Sequence, residues 1–192
     1  GKYHQKRFQV NLFSVNNSDV IDITNFEGSQ IEEIYNLINK GKHRVLVVVN
    51  KIDALPSGFK VSNLQLWVKR QIEAKIDADI NWNVCLASAK KATGMQKVLE
   101  ILGKWKGFLN RWKAFTKDYV LGTTNSGKSS FINALLYKQN KYKDSSKMHY
   151  RQKYYILTEA PAAGTTLDMI TVEQFSLGFR VIDTPGVPNM NQ

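Results

Sequence analysis

The chain has 192 residues, of which 43% are hydrophobic and 22% charged, an ordinary composition for one globular domain with a sizeable core. No apolar run approaches the roughly 18 residues that a membrane-spanning helix needs, and the single cysteine, Cys85, excludes an internal disulfide framework and a cysteine-based zinc site. The formal net charge of +11 favours a polyanionic partner such as a nucleic acid, although a lysine-rich composition inherited from an AT-rich genome would produce it equally well.

The first half of the chain alternates predicted strands and helices. Apolar runs at residues 20–24, 45–49 and 84–87 predict strands. Three sets of apolar residues at helical spacing predict helices: Ile31, Ile34, Leu37 and Ile38, then Leu64, Trp67, Val68, Ile72 and Ile76, then Met95, Val98, Leu99 and Leu102. Ser29 and Glu32 have the spacing of a capping box at the start of the first helix. The alternation predicts an α/β fold with a mostly parallel sheet.

The second half contains one ambiguous segment and one predicted insertion. Residues 103–118 interleave aromatic and basic side chains, which suits a nucleic-acid surface, but the aromatic residues recur at helical spacing and favour core packing of a linker helix. The elements predicted after it are a strand at 119–121, a helix at 130–137 and strands at 170–175 and 179–182. Residues 138–154 are polar and lysine-rich, which predicts a flexible insertion.

Residues 122–129 read GTTNSGKS and match the phosphate-binding pattern G-x-x-x-x-G-K-[ST]. A predicted strand precedes this P-loop and a predicted helix follows it, so the backbone N–H groups of the loop would bind the α- and β-phosphates. Lys128 would reach the β- and γ-phosphates, and the Ser129 hydroxyl would bind Mg²⁺. The predicted nucleotide contacts of this segment are Gly122, Asn125, Ser126, Gly127, Lys128, Ser129 and Ser130.

The sequence NKID at residues 50–53 follows a predicted parallel strand, where open α/β sheets bind ligands. The Asp53 carboxylate could accept hydrogen bonds from guanine N1–H and its exocyclic amino group, whereas adenine would leave it buried and unpaired. Asp53 therefore predicts GTP over ATP and opposes an ATP-using kinase or ATPase. Asn50 would brace neighbouring loops and Lys51 would lay its stem on the purine face. Backbone N–H groups of Ser88, Ala89 and Lys90 would face the guanine oxygen.

Two further segments complete the predicted site. Asp183 and Gly186 belong to the sequence DTPG after a predicted strand, which suits a magnesium-supporting carboxylate and a γ-phosphate-sensing backbone amide. Thr165 and Thr166 precede another predicted strand, and Thr166 offers a hydroxyl to Mg²⁺. Together these motifs predict a P-loop GTPase (Ras-like) fold of three layers.

The motifs occur in a circularly permuted order, G4-G5-G1-G2-G3, because NKID and SAK precede the P-loop. Closely spaced termini make such a permutation tolerable, since the hydrogen bonds of the sheet do not depend on where the chain begins. Residues 1–192 are expected to form one GTPase domain and to be a piece of a longer protein. A segment attached after DTPG would be coupled directly to the γ-phosphate sensor.

The segments DITNFEGS, NKIDALPS, LASAKKATGM, GTTNSGKSSFINALL, AGTTLDMI and IDTPGV resemble the YqeH family of circularly permuted GTPases over nearly the whole chain except the lysine-rich insertion. The resemblance implies a GTPase that acts in small ribosomal subunit assembly, with rRNA or a pre-ribosomal small subunit as partner. Its N-terminal zinc module and C-terminal RNA-binding domain are absent from this sequence, and Ala163 stands where the family usually has proline.

The resemblance also implies catalytic roles for Lys128, Thr166 and Gly186. In similar proteins an asparagine at the position of Asn125 helps to hold K⁺ where an arginine finger would act; the alternative is an asparagine that hydrogen-bonds its own turn. Val187 follows DTPG where many GTPases carry a water-orienting glutamine, which predicts slow intrinsic hydrolysis. The function is therefore either a K⁺-stimulated GTPase or a GTP/GDP-sensing scaffold with negligible hydrolysis.

The predicted location follows from the same resemblance. A bacterial protein of this kind would be cytoplasmic, and a eukaryotic one would lie in the matrix of a mitochondrion or plastid. The lysine-, asparagine- and tyrosine-rich insertion favours the organelle. The sequence does not specify the oligomeric state.

Overall fold

Six strands, four α-helices and two short 3-10 helices make up the regular structure of the described residues. This computed structural model describes residues 16–41, 43–109, 116–143, 169–172 and 179–188. The strands are β1 (Asn16–Asp22), β2 (Arg44–Asn50), β3 (Trp82–Leu86), β4 (Thr116–Leu121), β5 (Ile170–Val172) and β6 (Phe179–Asp183). The helices are α1 (Glu32–Gly41), α2 (Val61–Glu73), α3 (Met95–Leu109) and α4 (Lys128–Lys143), with 3-10 helices at Ile23–Asn25 and Ile52–Ala54.

All six strands form one sheet in the order β3-β2-β1-β4-β6-β5. Every neighbouring pair is parallel except β5 and β6. Strand β2 contains the continuous apolar run VLVVV at residues 45–49, which is typical of a strand covered on both faces, and all of the strand beyond Arg44 is buried. The predicted α/β class with a mostly parallel sheet is confirmed.

Helices cover both faces of the sheet and give the predicted three layers. Alternate side chains of β2 point to opposite faces. Its odd-numbered valines pack in a core with residues of α1 and α2, whereas Leu46 and Val48 pack with residues of α3 and α4. Phe131 and Ile132 in the first turn of α4 are buried in this second core, which fixes the start of the helix beneath the sheet edge that carries the P-loop.

The surroundings of α1 differ from two sequence-based predictions. Ser29 does not cap the helix, because its hydroxyl accepts from the Asp22 N–H at 3.0 Å and lies 3.2 Å from the Asp22 carbonyl oxygen. Leu37 is 54% exposed, since the buried stripe of the helix passes through Tyr35 instead. The predicted helix is therefore correct, but its start and one position of its apolar face are wrong.

Other element boundaries also differ from the predictions. Strand β1 begins at Asn16, four residues before the predicted run of residues 20–24, and a 3-10 helix follows it. The third predicted helix continues through Gly103 to Leu109 as a single α3 that buries Trp105, while β4 already begins at Thr116. Helix α4 reaches Lys143, so residues 138–143 of the predicted flexible insertion are helical. Residues 144–154 of that insertion lie outside the described residues, and so do residues 110–115 and 173–175.

Candidate nucleotide-binding site

The predicted motifs meet at one edge of the sheet. The P-loop follows β4, NKID begins at the last residue of β2, SAK follows β3, and DTPG begins at the last residue of β6. These four strands run parallel, so their carboxyl ends lie at the same edge. The sheet order thus brings together segments that are far apart in the sequence.

Glycine is required twice in the P-loop. Gly122 has φ +144°, and a Cβ there would lie 2.5 Å from the Val20 carbonyl oxygen. Gly127 has φ +90°, and a Cβ would lie 2.5 Å from the Asn50 side-chain nitrogen. Asn125 adopts a left-handed conformation with φ 61°, which asparagine tolerates better than most residues. The loop therefore has the tight curvature that lets its backbone approach a phosphate.

Lys128, the first residue of α4, is turned into the P-loop. Its ammonium donates to the carbonyl oxygens of Thr123 at 2.8 Å and Gly122 at 3.2 Å. The side chain is only 6% exposed, and this burial lowers its pKa to about 8, although the charges of Asp183 and Asp19 oppose the shift. An entering phosphate could replace the two carbonyls as the hydrogen-bond partner of the ammonium.

Ser129 and Asp183 meet beside Lys128. The Ser129 hydroxyl donates to an Asp183 carboxylate oxygen at 2.8 Å, and Asp183 is completely buried at the end of β6. A hydroxyl and a carboxylate are oxygen donors of the kind that Mg²⁺ prefers beside substrate phosphates. Among the described residues there is no cluster of three or more His, Cys, Asp or Glu side chains that could hold a metal alone. The pair fits a magnesium ion that shares its coordination with a nucleotide.

The segment after Asp183 is docked on the P-loop, a contact that the sequence did not predict. Val187 N–H donates to the Gly122 carbonyl at 3.2 Å, and Thr124 N–H donates to the Val187 carbonyl at 2.9 Å. A Cβ at Gly186 would lie 2.7 Å from Thr124 Cα and 2.9 Å from Lys128 Nζ. We call this pair of backbone hydrogen bonds the Val187 clasp. It joins the segment after DTPG to the first residues of the P-loop.

Asn50 joins the two halves of the site, as the sequence predicts for a bracing residue. Its amide nitrogen donates to the Ser126 carbonyl at 3.1 Å, and its amide oxygen accepts from the Ala89 N–H at 3.0 Å. The side chain is buried, so both contacts are protected from water. One residue thereby fixes the P-loop relative to the SAK loop.

Asp53 and Ser88 form the centre of the predicted base pocket. The Ser88 hydroxyl donates to Asp53 at 2.5 Å, and this hydrogen bond lowers the pKa of Asp53. Ser88 is buried, and its hydroxyl also accepts from the Lys91 N–H at 3.0 Å. Gly94 closes the SAK loop with φ +80°, where a Cβ would lie 2.2 Å from the Leu86 carbonyl oxygen. The carboxylate is thus ionised and held in place, as an acceptor for two guanine donors must be.

Lys51 is positioned by a residue that the sequence analysis did not assign to the site. It has a left-handed backbone with φ 63° and starts the 3-10 helix Ile52–Ala54. Its ammonium lies 2.6 Å from a carboxylate oxygen of Asp22 at the end of β1. Asp22 lies opposite Asn50 in the pairing of β1 with β2, so it is the register of the folded sheet that places it beside Lys51.

The described part of the predicted site is therefore assembled at one place. Ser126 is buried within the P-loop, Lys90 is exposed on the SAK loop, and Ser130 lies partly buried in the first turn of α4. Thr165 and Thr166, predicted as nucleotide and magnesium contacts, lie outside the described residues. Within the described ranges, no helix is both long and apolar enough to cross a membrane.

This fold and this arrangement of loops define a P-loop GTPase domain with a circularly permuted motif order. Residues 118–192 match the family model described as 50S ribosome-binding GTPase. The crystal structure of YjeQ from Thermotoga maritima has the same fold, with a TM-score of 0.50, 20% sequence identity and coverage of 92% of this chain and 49% of that one.

The chain is also similar to curated proteins. The chain is 33% identical over 174 residues to the uncharacterized protein YqeH of Bacillus subtilis, covering 90% of this chain and 41% of YqeH. It is 35% identical over 187 residues to NO-associated protein 1, chloroplastic/mitochondrial, of Arabidopsis thaliana, covering 96% of this chain and 29% of that protein. The small ribosomal subunit biogenesis GTPase RsgA of Chlorobaculum parvum is 25% identical over 191 residues, which cover 94% of this chain and 50% of RsgA.

The resemblance to the YqeH family of circularly permuted GTPases is therefore confirmed. The chain spans well under half the length of YqeH and of NO-associated protein 1.

Proposed function

We propose that this domain binds GTP and hydrolyses it to GDP and phosphate as a switch in assembly of the small ribosomal subunit. The observation that carries the proposal is the meeting of three separate motifs at one sheet edge, with Asn50 hydrogen-bonded to both the P-loop and the SAK loop. A base pocket and a phosphate pocket held at a fixed separation suit one nucleotide that spans both.

Selectivity for guanine rests on Asp53. Its lowered pKa keeps it an acceptor-only carboxylate at neutral pH. Guanine offers two donors on one edge, whereas adenine would place a lone pair against the carboxylate, and such a mismatch costs several kcal/mol. The backbone N–H groups of Ser88 and Ala89, which the sequence also assigned to the guanine oxygen, are donated to Thr93 and Asn50 instead. The Lys90 N–H would therefore serve the guanine oxygen.

The phosphate chemistry would fall to five residues of this chain. Lys128 would leave the carbonyls of Gly122 and Thr123 and bind the β- and γ-phosphates. Ser129 and Asp183 would hold Mg²⁺ with Thr166, and this ion when bound neutralises charge on the phosphate oxygens. The Gly186 N–H would contact the γ-phosphate once the Val187 clasp has opened.

Potassium would assist through Asn125. This residue is exposed in a left-handed turn of the P-loop, and its side chain makes no hydrogen bond to the rest of the described structure. Its amide oxygen is thus available to a cation beside the phosphates, which supports that role over an asparagine that stabilises its own turn. A monovalent cation there would stabilise the charge that spreads over the transferred phosphoryl oxygens.

A ribosomal partner is supported by the relatives and by charge. RsgA is named for small ribosomal subunit biogenesis, whereas the family model is described by 50S binding. The net charge of +11 suits an rRNA surface. The organellar relative supports a mitochondrial or plastid matrix, and the relative from Bacillus subtilis supports the cytoplasm of a bacterium.

One observation favours a second candidate function, a GTP/GDP-sensing scaffold with negligible hydrolysis. Val187 contacts the P-loop through its backbone, and its side chain cannot orient an attacking water. In such a scaffold the nucleotide would only change the affinity for a partner.

Phosphate release from GTP separates the two candidates. The rate would be measured in matched KCl and NaCl, with Lys128→Ala as the blank. We expect K⁺ to accelerate turnover and Asn125→Ala to lose most of that acceleration while it still binds GDP. If GTP binds but phosphate release does not exceed the blank in either salt, the scaffold is supported instead.

Co-sedimentation with purified small and large ribosomal subunits in the presence of a non-hydrolysable GTP analogue tests the proposed partner. Retention on the large subunit alone would contradict it.

A further inference from the structure

The loop of residues 22–29, with the sequence DITNFEGS, is rigidly attached at both ends. One Asp22 carboxylate oxygen accepts from the Thr24 N–H at 2.9 Å and from its hydroxyl at 2.7 Å. The Asp22 N–H donates to the Ser29 hydroxyl at 3.0 Å, and Ser29 N–H donates to the Asn25 carbonyl at 2.9 Å. The polar atoms of Asp22 are therefore fixed by short local contacts.

The loop is also anchored to a helix. Phe26 is buried, and its ring centroid lies 4.7 Å from that of Trp67 on α2 at an interplanar angle of 53°. Such a tilted aromatic pair is favourable beyond the area that it buries. The loop thus gives Asp22 a fixed position beside the nucleotide site.

The second Asp22 carboxylate oxygen is directed to Lys51. The distance to the ammonium is 2.6 Å, while the side-chain exposure is 13% for Asp22 and 37% for Lys51. Asn50 and Asp53, on either side along the NKID segment, are held by their own hydrogen bonds to the P-loop and SAK loops. Lys51 is therefore fixed at its backbone by the neighbouring turn and at its ammonium by Asp22.

We propose that Asp22 is a positioning residue for nucleotide binding, which holds the Lys51 stem as a preformed platform for the purine face. The inference rests on the proposed function, since it requires guanine nucleotide in this site. It adds a residue from outside the NKID, SAK, P-loop and DTPG motifs.

The physical argument is one of preorganisation. A free lysine side chain samples many rotamers, and fixing the side chain in a single rotamer when the nucleotide binds lowers the affinity. The pair with Asp22 orders the stem before the nucleotide arrives. A partly exposed ion pair contributes little to folding stability, so its main effect should appear in nucleotide affinity rather than in the melting temperature.

A double-mutant cycle tests the proposal, with affinity measured by fluorescence of a labelled GDP. Asp22→Asn removes the charge but keeps an oxygen that can accept from Thr24, so the loop is preserved. Lys51→Met keeps the stem and removes the ammonium. We expect each variant to lose about threefold to tenfold in affinity, and the double variant to lose no more than either one. GDP and GTP should be affected by the same factor, because the platform contacts the base.

The matched control is Glu73→Gln, which breaks an exposed pair with Lys69 of 3.6 Å on α2 and should leave the affinity unchanged. Thermal melting of each variant shows whether the fold is retained. Losses that add in the double variant would mean that Asp22 acts through the loop and not through Lys51, and would overturn the proposal. If Asp22→Asn left the affinity unchanged, the proposal for Asp22 would be overturned while the proposed function would stand. If the unaltered chain did not bind GDP, the proposed function would be overturned as well.

Discussion

The base side and the phosphate side of the site are prepared to different degrees. On the base side, Asp53, Ser88 and Asn50 already make the contacts that a bound guanine would leave in place. On the phosphate side, Lys128 is bonded to the carbonyls of Gly122 and Thr123, and the Val187 clasp shares the Gly122 carbonyl and uses the Thr124 N–H as well. A nucleotide would find a preformed base pocket but would have to displace internal contacts at its phosphates. Base contacts should therefore dominate selectivity, and phosphate contacts should decide between GDP and GTP.

The largest expected effect is loss of the base pocket by Asp53→Asn. The asparagine amide has one acceptor oxygen and one donor nitrogen, so it cannot accept hydrogen bonds from both guanine donors as the carboxylate does. We therefore expect GDP affinity to fall by about 100-fold or more. Competition between labelled GDP and unlabelled nucleotides measures this. Asp77→Asn, an exposed aspartate outside the site, serves as the control. Affinity within a few-fold of the unaltered chain would show that the base side is not selective in this way.

A smaller effect is expected when the link between the two sides is removed. Asn50→Ala deletes the hydrogen bonds to Ser126 and Ala89, so we expect GDP affinity to fall on the order of tenfold to thirtyfold and the melting temperature to decrease. Asn50→Asp separates the two contacts, because its carboxylate can still accept from Ala89 but cannot donate to Ser126. If both variants bound GDP normally, the two pockets would be independent of this brace.

The pH dependence of binding should distinguish the two sides. Lys128 has a pKa of about 8 because of burial, so above that pH a nucleotide must bind together with a proton. We expect GDP affinity to fall about threefold to fourfold from pH 7 to pH 8.5. Asp53 has a lowered pKa and stays ionised over this range, so the affinity for guanosine, which lacks phosphates, should stay constant. Equal changes for GDP and guanosine would contradict the assignment to Lys128.

The smallest expected effect concerns the Val187 clasp. Val187→Pro removes the N–H that is donated to Gly122, so we expect the ratio of GTP to GDP affinity to rise about twofold to fivefold. Val187→Ala keeps the backbone donor and is the matched control. Competition titrations with GDP and a non-hydrolysable GTP analogue give the ratio. The same ratio in both variants would mean that the clasp does not restrict access of the γ-phosphate.

The sequence predicted the parts of the site that depend on local patterns. The P-loop and the NKID and SAK segments each have a fixed spacing and follow a strand, so their position at the sheet edge could be derived from the topology of a parallel sheet. The Val187 clasp could not, because its hydrogen bonds join backbone groups that carry no side-chain signature. The Lys51 contact to Asp22 was missed for a related reason: Asp22 ends β1 and Lys51 follows β2, and no spacing rule relates the two residues.

Helix predictions failed where tertiary packing decided between similar residues. Leu37 and Tyr35 are both candidates for an apolar stripe, and only the position of α1 against the sheet selects Tyr35. Ser29 had the right spacing for a cap, but the end of β1 lies close enough to bind its hydroxyl first. In both cases a contact distant in sequence replaced a local preference.

The core beneath α1 and α2 also has a consequence for synthesis of the protein. All of its fully buried members lie between Ile21 and Ile80, so they emerge from the ribosome before any residue of the P-loop. In GTPases of the usual motif order the P-loop strand is made first. Because domains fold progressively during translation, the permuted chain can assemble this core around β1 and β2 while β4 is still being made, so the nascent chain would acquire its base-reading loops before it can hold a phosphate.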